Sequence, residues 1–309
     1  MSALGACCAA LAATPARLLR PRPADRAFLS TLVDAGLPRA RAAVRLTALT
    51  QARQTVPTAV VAEGVRRPRR VGLGMTSFLV EHPEARFLVD PAMCAGVHRE
   101  VLPQLPGPLR VVVAPDKPVL GLLEVLGTVG IGGDDIDFAL PTHLHWDHVS
   151  GLLELPGSIP VRTGEVERAW ALDGPVAPLG VARRPLLDRR YDVYSLDGPP
   201  VATFASSHDV FGDGSVVLVD LAGHTPGSVG VLLAVDDGSR VLLAGDAVWH
   251  GTQITHLRGT APFPGRLADA DRVATFAGVH RLHALPEEIR VVASHDRAAA
   301  AAFAPGRRS

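Results

Sequence analysis

The sequence predicts a mixed α/β body with helices packed outside its sheets. Three observations lead there. Strand-like runs stand both before and after helical ones, and a β-hairpin is among them. No repeat is long enough to indicate a solenoid. The 309 residues are 47% hydrophobic and 20% charged, a globular composition and not a disordered one. This length allows one or two domains and a sizeable core.

The first 70 residues stand apart by charge. They hold twelve Arg against Asp25, Asp34 and Glu63, a net +9, so the remainder carries −9 and the whole chain is neutral. A secretory signal places its positive charge before the apolar stretch. Here Leu4 to Ala13 comes first and Arg17, Arg20 and Arg22 follow. Leu4-Gly5-Ala6-Cys7 resembles a lipoprotein cleavage box, but too little precedes it to form an apolar leader. The order of charge therefore favours a cytoplasmic protein over an exported one. A nucleic-acid arm would interleave aromatics with its cations, and this block has only Phe28. No nucleic-acid partner is expected. Asp25 to Ala35 and Arg39 to Arg53 read as amphipathic helices broken at Pro38 and Pro57. Residues 1–70 are thus read as a helical extension that packs on the acidic body 71–309 or helps form a homodimer.

From Val71 the texture changes. Gly74 to Glu81 and Arg86 to Asp90 read as a hairpin around His82-Pro83-Glu84. Leu109 to Ala114 is a further apolar run, and Val119 to Leu126 reads as a short helix. Ile136 to Leu140 is a buried strand ending at Pro141. Ile159 to Arg162 is a short strand followed by a helix through Trp170 and Leu172. Gly174 to Pro200, rich in Pro, Gly and Arg, reads as a surface loop. Ser215 to Leu221, Ser228 to Val235 and Arg240 to Ala244 are strands, Leu267 to Leu285 has helical spacing, and Ile289 to Ala293 is a last strand. Three cysteines, Cys7, Cys8 and Cys94, exclude a disulfide scaffold and a cysteine-based zinc site. No apolar run approaches the roughly 20 residues of a membrane span.

The chemistry concentrates after the strand that ends at Leu140. His143-x-His145-x-Asp147-His148 packs three imidazoles and a carboxylate into six residues. These are the nitrogen and oxygen ligands favoured by zinc and other first-row metals. His143 and His145, two apart in extended backbone, point the same way. Asp147 and His148 follow a turn and can face a neighbouring position, so one loop can feed two adjacent metals. His224 in Gly223 to Ser228, Asp246 after the strand Val241 to Ala244, and His295 after Ile289 to Ala293 add ligands at strand ends, where open α/β sheets gather their sites.

In order and context these residues resemble the metallo-β-lactamase superfamily, over about residues 71–300. The resemblance implies a four-layer αββα sandwich and a di-metal site. By that pattern His143, His145 and His224 hold one metal, Asp147, His148 and His295 the other, and Asp246 bridges them. Asp90 matches an Asp that supports the site from behind the ligands. Zinc is the default, with iron, manganese or cobalt fitting the same donors. Asp246 occupies the slot where one large class of true β-lactamases carries Cys, which argues against an antibiotic hydrolase. No nuclease-type insertion lies between Asp147 and His295, and only 14 residues follow His295, short of the C-terminal helical region of glyoxalase II.

The chain is most similar to the N-acyl homoserine lactonase-type branch, through Phe78 to Asp90 and Phe211 to Ser228. This implies a metal-dependent hydrolase that opens lactones or cleaves carboxylic esters, a metal-bridging hydroxide being the nucleophile. Asp147 is the candidate catalytic residue, orienting the nucleophile and shuttling a proton to the leaving group. One departure stands out: Trp249 occupies the place where those lactonases often carry a substrate-contacting Tyr. Trp146, Trp249, Phe211 and Phe263 are candidates for an apolar acyl pocket. His208 and His250 are the further histidines to test for proximity to the metals. The alternative is a thioesterase of the glyoxalase II kind or a phosphodiesterase on the same metals; a diester site would recruit Arg, with Arg258 and Arg266 as candidates. A non-catalytic metal module fits poorly, because structural zinc sites are closed and four-coordinate.

Overall fold

Side-chain alternation along the strands sorts this protein into layers. The computed structural model describes residues 3–306. One sheet joins β1 (Arg45–Pro57), β2 (Arg70–His82), β3 (Ala85–Val89), β4 (Phe138–Leu140), β5 (Val161–Gly164) and β6 (Tyr191–Tyr194), in that spatial order. The other joins β7 (Ser207–Asp209), β8 (Val216–Asp220), β9 (Val229–Ala234), β10 (Arg240–Leu243) and β11 (Ile289–Val292), with β11 and β7 at its edges. β1 to β3 and β7 to β10 are antiparallel, while β3 to β6 and the β10–β11 pair are parallel.

Successive residues of a strand face opposite sides. Phe78 and Val80, Phe87 and Val89, Val216 and Leu218, Val231 and Leu233 meet in one core between the sheets. Their neighbours Leu79 and Leu88 turn the other way, onto Leu122, Val125 and Leu126 of the helix Leu122–Gly127. Val217, Val219, Leu232 and Leu242 turn out of the second sheet onto Phe276, Val279 and Leu282 of the helix Arg272–His283. Helix, sheet, sheet, helix is the expected four-layer αββα sandwich. Among the described residues no helix is long and apolar enough to cross a membrane.

Three readings of local pattern are corrected. Arg39 to Arg53 is not a helix: Arg45 onward is β1, paired antiparallel with β2 along its whole length. The Ala, Leu, Arg and Gln content favours helix, but thirteen residues beside an apolar strand gain a full ladder and bury Leu46, Ala48 and Leu49. The first sheet therefore begins before the division at residue 70, and the extension is not helical throughout. Asp25 to Ala35 keeps only the turn Arg26–Leu29, capped by Asp25, whose Oδ1 accepts from the Phe28 amide at 2.9 Å. Gly174 to Pro200 is not all loop, since it supplies the edge strand β6. The apolar run at Leu109 belongs to the helix Gly107–Val113.

The N-terminal helix Ala3–Leu19 docks on the body rather than projecting from it. Cys7 packs with Leu109 and Leu267, and Thr14 Oγ1 accepts from the Phe263 amide at 2.9 Å. Glu63, almost wholly buried, anchors its end: Arg17 Nε lies 2.7 Å from Oε1 and Arg17 Nη2 donates to Oε2 at 3.3 Å. The Arg22 amide also donates to Glu63, at 3.1 Å.

Candidate metal centre

The site lies where strand ends of both sheets meet. The chain leaves β3 at Asp90, which is fully buried with φ +52°, a left-handed conformation that Asp tolerates better than most residues. Its carboxylate accepts from the Thr142 amide at 2.6 Å, from Thr142 Oγ1 at 3.1 Å and from Ser294 Oγ at 3.0 Å. The same group faces His148 Nδ1 at 2.9 Å. One carboxylate thus ties the loops after β3, β4 and β11 and turns the Nε2 of His148 away from itself, towards the centre.

The sequence candidates fall into two groups. Ligand atoms of His143, His145 and His224 lie within 4.8 Å of one another, as do those of Asp147, His148, Asp246 and His295. His143 Nε2 is 3.2 Å from His145 Nδ1, which is 2.9 Å from His224 Nε2. Asp246 spans the groups: Oδ2 lies 3.5 Å from His224 Nε2, and Oδ1 lies 3.2 Å from His148 Nε2 and 3.1 Å from His295 Nε2. Asp147 Oδ2 is 3.6 Å from His295 Nε2 and stays partly exposed. Gly245, before Asp246, has φ +53°, and a Cβ there would lie 2.7 Å from Thr142 Oγ1, so a side chain is excluded.

Support behind the ligands escaped the sequence reading except at Asp90. His224 Nδ1 donates to Asp269 Oδ1 at 3.0 Å, and His295 Nδ1 donates to the Gly74 carbonyl at 2.9 Å. Each bond fixes the tautomer and aims Nε2 inward. Glu167, buried, accepts from the Leu144 amide at 2.8 Å and the Gly227 amide at 3.0 Å, joining the two histidine loops. No local pattern marks Asp269 or Glu167, which lie 45 and 23 residues from the groups they hold.

Charge differs between the groups. Burial pushes His143 and His145 well below the usual imidazole range, and neighbouring imidazoles push the same way. Burial also opposes charge on His148, but Asp90, Asp246 and Asp147 outweigh it and hold that ring well above its ordinary value. Burial is likewise outweighed at His295, which Asp246 and Asp147 raise to about 9. Asp246, despite burial, is held well below the usual carboxylate range by His295 and His148. The second group is thus a buried nest of carboxylates whose field favours positive charge.

A cation fits this arrangement. His148 Nε2 and Asp246 Oδ1 are buried 3.2 Å apart without a hydrogen bond. Polar atoms so placed are costly unless something positive lies between them. The donors are nitrogen and oxygen throughout, as borderline divalent metals prefer.

A cavity of about 330 Å³ opens onto the ligands. Its walls are mostly apolar and include Met75, Leu109, Val113 and Leu267. Three of the four expected aromatics, Trp146, Trp249 and Phe263, line it. Phe211 does not: it stacks on His82 at 3.8 Å against the inter-sheet core. Thr14 brings the N-terminal helix into the wall. His208 stacks on Tyr194 and His250 caps the helix Gly251–His256, so neither joins the ligand groups. No Arg or Lys lines the cavity among the described residues, and Arg258 instead donates to the Arg22 carbonyl at 2.9 Å.

Comparison with known proteins agrees with this geometry. The family model of the metallo-beta-lactamase superfamily matches residues 71–295. N-acyl homoserine lactonase AttM of Azorhizobium caulinodans is 27% identical over 237 residues, 74% of this chain and 85% of that protein. AttM of Rhizobium radiobacter is 28% identical, covering 73% and 83%. Among solved structures, a mutant of AiiA from B. thuringiensis with N-decanoyl-L-homoserine bound superposes with a TM-score of 0.62 at 20% identity, over 84% of this chain and 95% of that one. AidC, a dizinc quorum-quenching lactonase, superposes at 0.55 and 15% identity, over 84% and 90%. At these identities the structures speak for the fold.

Sandwich, converging ligands and cavity together define a metal-dependent hydrolytic enzyme. With the family model matching most of its length, the chain belongs to the metallo-β-lactamase superfamily.

Proposed function

We propose that this enzyme opens lactones carrying an apolar acyl chain, N-acyl homoserine lactones being the class for which its relatives are named. The observation that carries the reading is the apolar cavity seated directly on Asp246, His224 and His295. His143, His145 and His224 would hold one divalent ion, Asp147, His148 and His295 the other, and Asp246 both; zinc suits the donor set best. Bound there, the ions would supply an activated water near neutral pH and polarise the substrate carbonyl.

The chain's own residues do the rest. Asp147, at the cavity edge, orients the attacking water and passes its proton to the leaving alkoxide. Trp249, whose ring lies 6.4 Å from that of His295, can donate one indole N–H to the substrate but cannot titrate. Thr14 brings the helix Ala3–Leu19 to the cavity wall. A phosphodiester reading lacks the cavity arginines it would need.

The test is a panel of acyl homoserine lactones, simple lactones, aryl esters, thioesters and phosphodiesters offered to the zinc-loaded protein. Lactone opening that disappears in His143→Ala and Asp147→Asn supports the reading. Strong thioester or diester turnover with inert lactones overturns it. We further propose a cytoplasmic location, which fractionation of cells producing the full chain tests. We also propose a homodimer formed through Leu4, Leu11 and Leu19, which the N-terminal helix turns to solvent. A mass that stays monomeric at all concentrations refutes the dimer.

A further inference from the structure

β1 contains one irregularity, and it decides what the strand shows to the cavity. Pairing with β2 runs Ala48↔Phe78, Leu49↔Ser77, Thr50↔Thr76, and then Ala52↔Met75, leaving Gln51 as an extra residue. A bulge of this kind reverses which residues face which side. Before it, Leu46 and Ala48 face the inter-sheet core. After it, Ala52 packs with Met75, Met93 and Trp146 on the opposite face, and Gln54 and Val56 line the cavity. Without the extra residue, Gln54 would be aimed away from the ligands.

The two glutamines around the bulge are used differently. Gln51 is buried, and its carboxamide donates to the Met93 carbonyl at 2.6 Å and the Leu120 carbonyl at 3.2 Å while accepting from the Met93 amide at 2.9 Å. It holds the bulge in place. Gln54 has its backbone in the ladder opposite Leu73, but its carboxamide has no hydrogen-bond partner among the described residues. It is partly exposed and lines a wall that is mostly apolar. Thr14, another polar side chain there, is already spent on the Ala10 carbonyl and the Phe263 amide.

A free carboxamide offers one acceptor oxygen and two donor hydrogens. That is the complement of a secondary amide, which presents a carbonyl and an N–H side by side. It is a poor match for a plain alkyl chain, which would leave it unpaired on an apolar wall. We propose that Gln54 is a specificity-determining residue that hydrogen-bonds the amide joining acyl chain to lactone ring, selecting acylamino lactones over alkyl lactones of equal length. The proposal rests on the lactonase reading above.

The test uses the full-length, zinc-loaded enzyme with two substrates, N-hexanoyl homoserine lactone and a γ-alkyl lactone of matched length. Gln54→Leu keeps the volume and removes both polar groups. The expected result is a five- to tenfold fall in kcat/KM for the acylamino lactone, seen mainly in KM, as for one lost hydrogen bond. The alkyl lactone should change less than twofold. Gln54→Met supplies the same comparison if the first variant fails to fold. An unchanged preference between the substrates, or equal losses on both, overturns the role of Gln54 while leaving the lactonase reading intact. A wild-type enzyme that opens neither lactone while cleaving other esters overturns both.

Discussion

Replacing Asp90 by Asn should weaken the second metal position without disturbing the backbone that carries it. The residue sits at φ +52°, a conformation Asn accepts as readily as Asp, so the substitution isolates charge. Asn Oδ1 can still accept from the Thr142 amide, where Asp90 makes a 2.6 Å bond. The hydroxyls of Thr142 and Ser294, at 3.1 and 3.0 Å, can rotate to accept instead of donate. His148 Nδ1, at 2.9 Å, then faces an amide N–H₂ or a neutral oxygen in place of a carboxylate. Loss of such a partner behind a metal-binding histidine typically costs 10–100-fold in metal affinity, about 1.4–2.7 kcal/mol. A competitive chelator titration with zinc should show one of two binding events shifted by that factor and the other unchanged. The metal-free protein should lose about 3–5 kcal/mol, the cost of removing one partner of a buried charge pair. Affinity within twofold of wild type at both positions would refute the reasoning, and so would equal losses at both.

Three other outcomes follow from the same geometry. Asp269→Ala removes the acceptor of His224 Nδ1, so in the same titration it should weaken the position built from His143, His145 and His224 by about 10–100-fold. Gly245→Ala forces a left-handed alanine and a contact 2.7 Å from Thr142 Oγ1; a loss of at least about 1–2 kcal/mol should appear as a lower midpoint in urea. Thiol alkylation at pH 8 should modify exposed Cys8 and spare Cys94, which is buried and raised to about 11 by that burial and by Glu154 and Glu100; mass spectrometry of the peptides distinguishes them.

Much of the site was legible in one dimension because metal ligands are chosen for chemistry that does not depend on context. His143, His145, Asp147 and His148 fall within six residues, and His224, Asp246 and His295 each follow a strand that its apolar run reveals. The strands β2, β3, β8, β9 and β10 were likewise visible as apolar runs. Arg39 to Arg53 was misread because propensity there favours helix, and only the partner strand β2 makes the extended form better. The charge block was informative in a narrower way than its size suggested, since Arg17 reaches the buried Glu63 while most of its companions stay in solvent.

The sequence by itself determined the candidate ligand types, their order and most of the strands, because each is written in neighbouring residues. Tertiary structure alone decided what stands behind and above the ligands. Asp269 and Glu167 become supports, the helix Ala3–Leu19 becomes a wall, and Gln54 turns to the cavity. Those roles depend on the direction in which a side chain arrives from a distant segment. Direction is set by pairing, packing and a one-residue bulge, and none of these is a property of the local chain.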